Sequence, residues 1–347
     1  MDFERTLGGK VLRDVSRSFF LSLRVLPNEV RGTCSLAYLL ARTSDTLADT
    51  AVVKLPVRKD LLLRFRSLIQ DRELDEAEVK KFETTVHDEV LPSIDHKGEN
   101  QLMRRISGML DWLNALSESS RESVEQVLDS ITTGQLEDLQ RFGESEPGKM
   151  RFLMTSDELS TYADHVAGSV GRFWTELGSQ AFPNFSDVSV DSMQARGQAY
   201  GRGLQYLNIV RDLGDDVKMG RCYLPKQELE FAGWEDGPWN TNQGALMNVA
   251  TTWLNHAEEG LREGLDYSQR LLNRRMKLAT VLPAMIGAAT IRALRKSQSS
   301  FLTRKIKVDR TETRRISMQC TQKVLFGQKL EPYFNQLLRG GDSNLPS

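Results

Sequence analysis

Cysteine, histidine and proline are scarce in this chain, and neither sign of charge prevails. Three cysteines, Cys34, Cys222 and Cys320, stand far apart among 347 residues. That number and spacing exclude a disulfide framework and a thiolate zinc cluster. The four histidines form no HExxH pair, which excludes that zinc-hydrolase pattern. Lys plus Arg total 46 and Asp plus Glu total 47. So even a balance excludes a whole-surface nucleic-acid binder, and no nucleic-acid partner is expected. No apolar run reaches the about 18–20 residues that cross a bilayer. The longest uncharged stretch of note, Leu278 to Ile291, contains Pro283 and Gly287 and reads as a buried helix. The start, Met-Asp-Phe-Glu-Arg, lacks the basic-then-apolar layout of a signal peptide. A reducing, cytoplasmic setting is the expectation from these absences.

Period-two alternation, the mark of a half-buried strand, is also rare. Apolar residues recur instead at three- and four-residue spacing. Leu61, Leu62, Phe65, Leu68 and Ile69 make one helical stripe, and Leu102, Ile106, Met109, Leu110 and Leu113 another. No proline occurs between Pro92 and Pro147, room for two or three helices. Breaks are expected at Arg24 to Arg31, which contains Pro27-Asn28, at Ser117 to Ser123 with its N-cap serines, at Gly143 to Gly148, at Gln180 to Asp187 and at Gly233 to Gly244. With 39% apolar residues the chain can fill a large core. The expected fold is all-α, a single-domain helical bundle of ten or more helices over residues 1–338, followed by a polar tail over 339–347.

Two acidic motifs carry the chemistry. Asp45 and Asp49 lie four apart in Ala41-Arg-Thr-Ser-Asp-Thr-Leu-Ala-Asp-Thr50. On a helix such carboxylates are neighbours and repel, unless a cation bridges them. Far downstream, Asn208-Ile-Val-Arg-Asp-Leu-Gly-Asp-Asp216 repeats the spacing at Asp212 and Asp216. Arg211, Lys218 and Arg221 interleave bases with these acids. Each pair alone fits a solvated acidic face. Two matched pairs fit a site where Mg²⁺ and diphosphate oxygens are held together, because Mg²⁺ takes one or two protein carboxylates and completes its shell with phosphate and water. Gly201-Arg-Gly203 lacks the third glycine of a dinucleotide fingerprint and follows no strand, so any nicotinamide cofactor binds another way.

With these residues in view, the sequence resembles the squalene and phytoene synthase family, the head-to-head prenyltransferases, over roughly residues 10 to 325. Ser16, Arg17, Ser18 and Phe19 look like that family's early phosphate-contacting segment. The run from Tyr38 through Arg42 to Asp49 is similar to its first Asp-rich helix. Tyr162-Ala-Asp-His-Val-Ala-Gly168, with Val170 and Gly171, looks like its Tyr-x-x-x-Val-Ala-Gly segment. Gln205 to Asp216, running on to Arg221 and Pro225, resembles its second Asp-rich helix. Position 48 is Ala and position 50 is Thr, where acids are common in the family.

The resemblance implies an isoprenoid-synthase-type bundle around a central apolar cavity. It implies condensation of two farnesyl diphosphates, with inorganic diphosphate as by-product. Asp45, Asp49, Asn208, Asp212 and Asp216 would hold Mg²⁺. Ser16, Arg17, Ser18, Phe19, Arg42, Val166, Gly168, Gln205, Asn208, Arg211 and Arg221 would bind substrate. Lys218 and Arg221 would bind NADPH, and Tyr38 or Tyr162 would assist a proton loss. Lys54-Leu-Pro-Val-Arg-Lys-Asp60 looks more like the squalene-forming branch than the phytoene-forming one. No C-terminal membrane anchor of the eukaryotic squalene-forming type is expected. The products of every member are apolar, so transient membrane contact for product release is expected too. Phe231, Trp234 and Trp239 either touch lipid or pack under a loop.

Overall fold

The structure, a computed structural model, describes residues 7–16 and 19–340. Among them are sixteen α-helices: α1 (Leu12–Ser16), α2 (Phe19–Val25), α3 (Asn28–Asp49), α4 (Leu55–Gln70), α5 (Glu76–Glu89), α6 (Lys97–Met103), α7 (Ile106–Asn114), α8 (Glu118–Phe142), α9 (Ser156–Ala163), α10 (Ser169–Ala181), α11 (Val190–Lys218), α12 (Lys226–Phe231), α13 (Gln243–Arg270), α14 (Arg274–Ser297), α15 (Arg310–Leu325) and α16 (Glu331–Arg339). Leu7–Val11 and Asp164–Gly168 are π-helical turns. The strands are two residues each, β1 (Arg151–Phe152) and β2 (Arg221–Cys222), paired in parallel with Arg151 opposite Arg221. The all-α class read from the sequence is the class observed.

The chain divides into two compact units. One holds the residues up to Glu144 together with Glu176–Ala181, and the other holds Ser145–Thr175 and the residues from Phe182 onward. In the first unit, the stripe Leu61, Leu62, Phe65, Leu68 and Ile69 is the buried face of α4. The stripe from Leu102 to Leu113 is buried too, but it is not one helix. The chain leaves helical geometry at Arg104 and Arg105, so α6 and α7 share the stripe. A three- and four-residue spacing survives such a break because it marks which residues face inward, not where the hydrogen bonds stop. Ser117 caps α8 by accepting from the Ser120 amide.

In the second unit, α11 is the longest helix and its glycines set how closely its neighbours approach. A Cβ on Gly201 would stand 2.1 Å from the Ala167 carbonyl oxygen. A Cβ on Gly203 would stand 2.6 Å from the Gly260 Cα on α13. Gly201-Arg-Gly203 is therefore a packing device in mid-helix. Leu278 to Ile291 lies in α14 and is buried along most of its length. Pro283 withholds the amide that would close the turn there. The Thr280 carbonyl in that turn accepts the Tyr200 hydroxyl at 2.9 Å, and the Thr280 hydroxyl accepts from the Trp174 indole at 2.9 Å. Among the described residues, Arg274–Leu302 is the one segment long and apolar enough to cross a membrane, and 67% of its apolar window is buried inside the protein. Trp234 is buried with its ring edge against Phe152, Trp239 is half-buried, and Phe231 is exposed.

Candidate active site

The first acidic motif ends α3. Tyr38, Arg42, Asp45 and Asp49 fall at four-, three- and four-residue steps and so share one helical face. Thr43, Thr46 and Thr50 between them are quiet. Each donates its hydroxyl to the carbonyl four residues back, at 2.9, 2.9 and 2.6 Å. The carboxylates are left as the reactive groups of the turn. Gln135 on α8 donates to Asp45 at 2.5 Å. Arg42 lies 3.7 Å from Asp45, but its shorter bond, 2.5 Å, goes to Glu99 on α6. Loss of bulk water pushes the Asp45 carboxyl up to about 7, with Asp49 adding to the rise and Arg42 and Gln135 opposing it. Its side chain keeps 45% of its surface open, so water screens part of that desolvation. Burial and the neighbouring Asp49 both work against ionisation of Asp45, which is the condition under which a bound cation stabilises. Arg42 and Asp49 also border a cleft of about 350 Å³ with Asp95 and Glu99.

Behind this turn, Arg58 of α4 is 4% exposed. It donates to the Ala48 carbonyl at 2.9 Å and the Gly143 carbonyl at 3.1 Å, a cation fixed at the carboxyl ends of two helices. Tyr38 donates to the Val15 carbonyl at 3.2 Å and stacks on Phe19, ring centroids 5.6 Å apart. The Ser16 hydroxyl donates to the Leu12 carbonyl and is buried. Arg17 and Ser18 lie outside the described residues.

The second motif ends α11 and has the opposite electrostatics. Arg211 grips Asp212 with a fork, 2.6 Å from Nη2 and 3.2 Å from Nε. Lys305, from the segment between α14 and α15, lies 3.0 Å from Asp212 and 3.4 Å from Asp215. Lys218 lies 3.8 Å from Asp215 and donates to the Thr303 carbonyl at 3.3 Å. Burial alone would raise the Asp212 carboxyl, but Arg211 and Lys305 together outweigh it and hold it below the usual range. Asp216 is half-buried, and Asn208 reaches the Gln205 side chain at 3.5 Å. Gly220 then turns the chain with φ +79°, where a Cβ would stand 2.2 Å from the Glu146 carbonyl oxygen. That turn delivers Arg221 to β2. The Arg221 Nε is buried and has no hydrogen-bond partner.

Tyr162 is half-buried in α9 and stacks on Tyr223, centroids 5.2 Å apart. The π turn Asp164–Gly168 follows it directly. Val166 is half-buried, and Gly168 is buried where a Cβ would meet the Asp164 carboxylate and Arg202. Gly171 abuts the Gly197 carbonyl of α11, so close packing of neighbouring backbone accounts for the small residues there. The three free cysteines are buried, and burial pushes each thiol up to about 12, far from a nucleophile's range.

Sequence reasoning missed Glu99, Gln135, Arg58 and Lys305. Gln135 had a signal. It stands on the apolar stripe of α8 between Leu128, Ile131 and Leu139, where an amide needs a partner. Lys305 had a weaker one in the cluster Arg304, Lys305 and Lys307.

Among the described residues, no three His, Cys, Asp or Glu side chains gather closely enough to hold a metal by themselves. The donor sets, hard carboxylate and amide oxygens in pairs, suit Mg²⁺ that completes its shell with substrate oxygens and water. The Arg221 Nε, just past the end of α11 and without a partner among the described residues, suits an anionic phosphate.

The family model described as squalene/phytoene synthase matches residues 12–312. The chain is 27% identical over 266 residues to a bifunctional lycopene cyclase/phytoene synthase of Pyrenophora tritici-repentis, covering 75% of this chain and 41% of that protein. It is 25% identical over 298 residues to the squalene synthase of Homo sapiens, covering 84% of this chain and 64% of that protein. The chain thus spans less than two thirds of either curated relative. A solved complex of TcSQS with a ligand superposes with a TM-score of 0.76 at 19% identity, over 99% of this chain and 93% of that one. At that identity the likeness speaks for the fold.

Proposed function

The chain belongs to the squalene/phytoene synthase family, and within this family of prenyl-transferring enzymes we propose that it is a squalene synthase. It would join two farnesyl diphosphates head to head through presqualene diphosphate and reduce the product with NADPH. The observation that carries the reading is the pair of acidic helical ends, each with aspartates four apart and an arginine on the same turn. The segment Lys54–Asp60, which resembles that of the squalene-forming branch, supports this choice within the family.

Asp45 and Asp49 would hold Mg²⁺ in one unit, and Asn208, Asp212 and Asp216 in the other. When bound, Mg²⁺ supplies positive charge to the departing diphosphate. Arg42, Arg211, Arg221 and, from the early segment, Arg17 bind phosphate oxygens, for which guanidinium forks are well shaped. Ser16, Ser18, Phe19 and Gln205 position the substrates, and Val166 and Gly168 border the prenyl chains. The allylic C–O bond breaks and its electron pair leaves with inorganic diphosphate. The protein contributes electrostatic stabilisation and alignment of the second chain's double bond. A proton is lost as the cyclopropane closes. Tyr38, whose hydroxyl donates to the Val15 carbonyl, would be one hydroxyl for a relay toward diphosphate. Tyr162 is the other hydroxyl for that step. An ordinary tyrosine titrates near 10, so either acts as a relay and not as a free base. The second diphosphate then leaves with its electron pair as the cyclopropane opens. Lys218 and Arg221 would hold the phosphates of NADPH, which would supply the hydride that ends the sequence at squalene. The apolar product leaves by transient contact with a membrane, from a protein that is otherwise cytoplasmic or peripheral.

The 27% identity to a phytoene synthase supports a second reading, a synthase of phytoene or dehydrosqualene without hydride transfer, or of hydroxysqualene where water ends the sequence. One experiment separates them. Purified protein is incubated with farnesyl diphosphate and Mg²⁺, with and without NADPH, and the lipids are extracted and analysed. Squalene formed only with NADPH is the expected result. A C30 product indifferent to NADPH, or turnover only of geranylgeranyl diphosphate, moves the assignment to the second reading. No prenyl product from folded protein overturns both.

A further inference from the structure

The near-zero net charge hides an asymmetry along the chain. Between Arg292 and Arg339 there are twelve Lys and Arg against three Asp and Glu. That stretch is therefore nine charges positive in a chain whose total is −1. Much of this excess stands on one exposed face, formed by α15 and the turn that follows it. Arg292 is taken up by Glu312, and Arg295 by Glu258. Arg310, Arg314 and Lys329 are exposed and have no carboxylate partner among the described residues.

The same face carries large apolar side chains. Met318 is 57% exposed, Leu325 56% and Phe326 74%. Arg314, Met318 and Leu325 follow one another at four and seven residues, so they lie on one side of the helix, while Ile316, Cys320 and Val324 fill the buried side. The turn holds Phe326 in place. Gly327 takes φ +64°, and the Gln328 amide bonds the Lys323 carbonyl at 2.8 Å. This left-handed close usually tucks an apolar residue back onto the helix. Here the residue after the glycine is Gln328, and Leu325 and Phe326 stay outside.

We propose that the face bearing Arg314, Met318, Leu325, Phe326 and Lys329 docks this protein onto an anionic lipid surface. An exposed helix face that mixes cations with large apolar groups is rewarded twice at such an interface. Cations meet lipid phosphate, and apolar groups enter the boundary below the headgroups. A nucleic acid would reward the cations and Phe326 but not Met318 and Leu325, which have no planar group to stack on bases. The other exposed aromatic, Phe231, is a poorer anchor. It stands among Glu228, Glu230, Glu235 and Asp236, the wrong sign for an anionic surface. The inference does not depend on which prenyl product is made.

The test is co-sedimentation of the full chain with vesicles of phosphatidylcholine alone and with roughly one third phosphatidylglycerol. Binding to the anionic vesicles only, weakened at high salt, is expected. The double variant R314E/K329E and the single variant F326S should each weaken that binding about tenfold while keeping the melting temperature. Those residues are exposed, so folding is not at stake, and circular dichroism checks it. Absence of wild-type binding overturns the proposal, and so does equal binding to neutral vesicles. Unchanged binding by both variants overturns it as well. Concentration-dependent dimers broken by F326S would assign the face to a second copy of the chain. RNA binding lost in R314E/K329E but kept in F326S would assign it to nucleic acid.

Discussion

The ends of α3 and α11 carry the same acidic spacing in opposite electrostatic settings. Asp45 stands 3.7 Å from Arg42, which Glu99 holds more tightly, and the Asp45 carboxyl is raised. Asp212 is gripped by Arg211 and Lys305, and its carboxyl is lowered. Spacing therefore fixes where the carboxylates point, while residues distant in sequence fix their ionisation. At the first end burial and the neighbouring Asp49 both disfavour the Asp45 carboxylate, so a cation bound there stabilises it. The second already has protein cations, with which a metal at Asp212 would compete.

The largest effects should come from neutralising either end. Asp45→Asn and Asp212→Asn are each expected to lower turnover of farnesyl diphosphate by about 100-fold or more with helix content unchanged. A turnover within a few-fold of wild type in one of them would make that end dispensable. Next in size is Arg58→Ala. It strips donors from the Ala48 and Gly143 carbonyls and empties a buried site, at a cost of about 2–4 kcal/mol in urea unfolding. A cost near zero would show that the end of α3 holds without its cation.

Smaller, but sharper for the comparison, is the sign of the pH dependence in metal-free protein. Asp45 has a raised carboxyl, so its protonated form is favoured in the fold. Its contribution is present below the usual carboxylate range and is lost as pH rises through about 7. Asn keeps the acceptor for Gln135 without the charge. Asp45→Asn should therefore melt about 1–3 °C above wild type at pH 8 in EDTA, and the gap should narrow as pH falls and close below the usual carboxylate range. Asp212 behaves in reverse. Its contribution is present above the usual range and is lost as pH falls through its lowered value. Asp212→Asn should melt below wild type at neutral pH, with the gap closing in acid. Matching signs for the two variants would erase the distinction. The smallest effect is expected for Lys305→Ala, which removes a competing cation. It should lower the Mg²⁺ concentration needed for half-maximal turnover by about two- to fivefold. A raised requirement would make Lys305 a partner of the metal site and not its competitor.

Much of this architecture was legible in the sequence because it is local. Helical stripes such as Leu61 to Ile69, the Ser117 cap and the two aspartate pairs are set by spacings of three and four residues. The partners were not legible, because Gln135 is 90 residues from Asp45, and Glu99 is 57 from Arg42. Lys305 reaches Asp215 across 90 residues as well. Only the tertiary fold pairs them, so the ionisation of the motifs was hidden while their presence was plain. The break at Arg104 was missed for a related reason. Neither arginine carries a Pro or Gly signal, and the inward-facing pattern runs on across it.

Melting of the metal-free protein with Mg²⁺ and inorganic diphosphate, singly and together, tests most directly whether both acidic ends grip these ions. A ligand that binds the native state must stabilise it. Wild type should gain several degrees, roughly, with both ligands at saturation and much less with either alone, and Asp45→Asn and Asp212→Asn should each lose part of that gain. A melting temperature unmoved by both ligands together, or a full gain in both variants, would contradict the assignment of these aspartates.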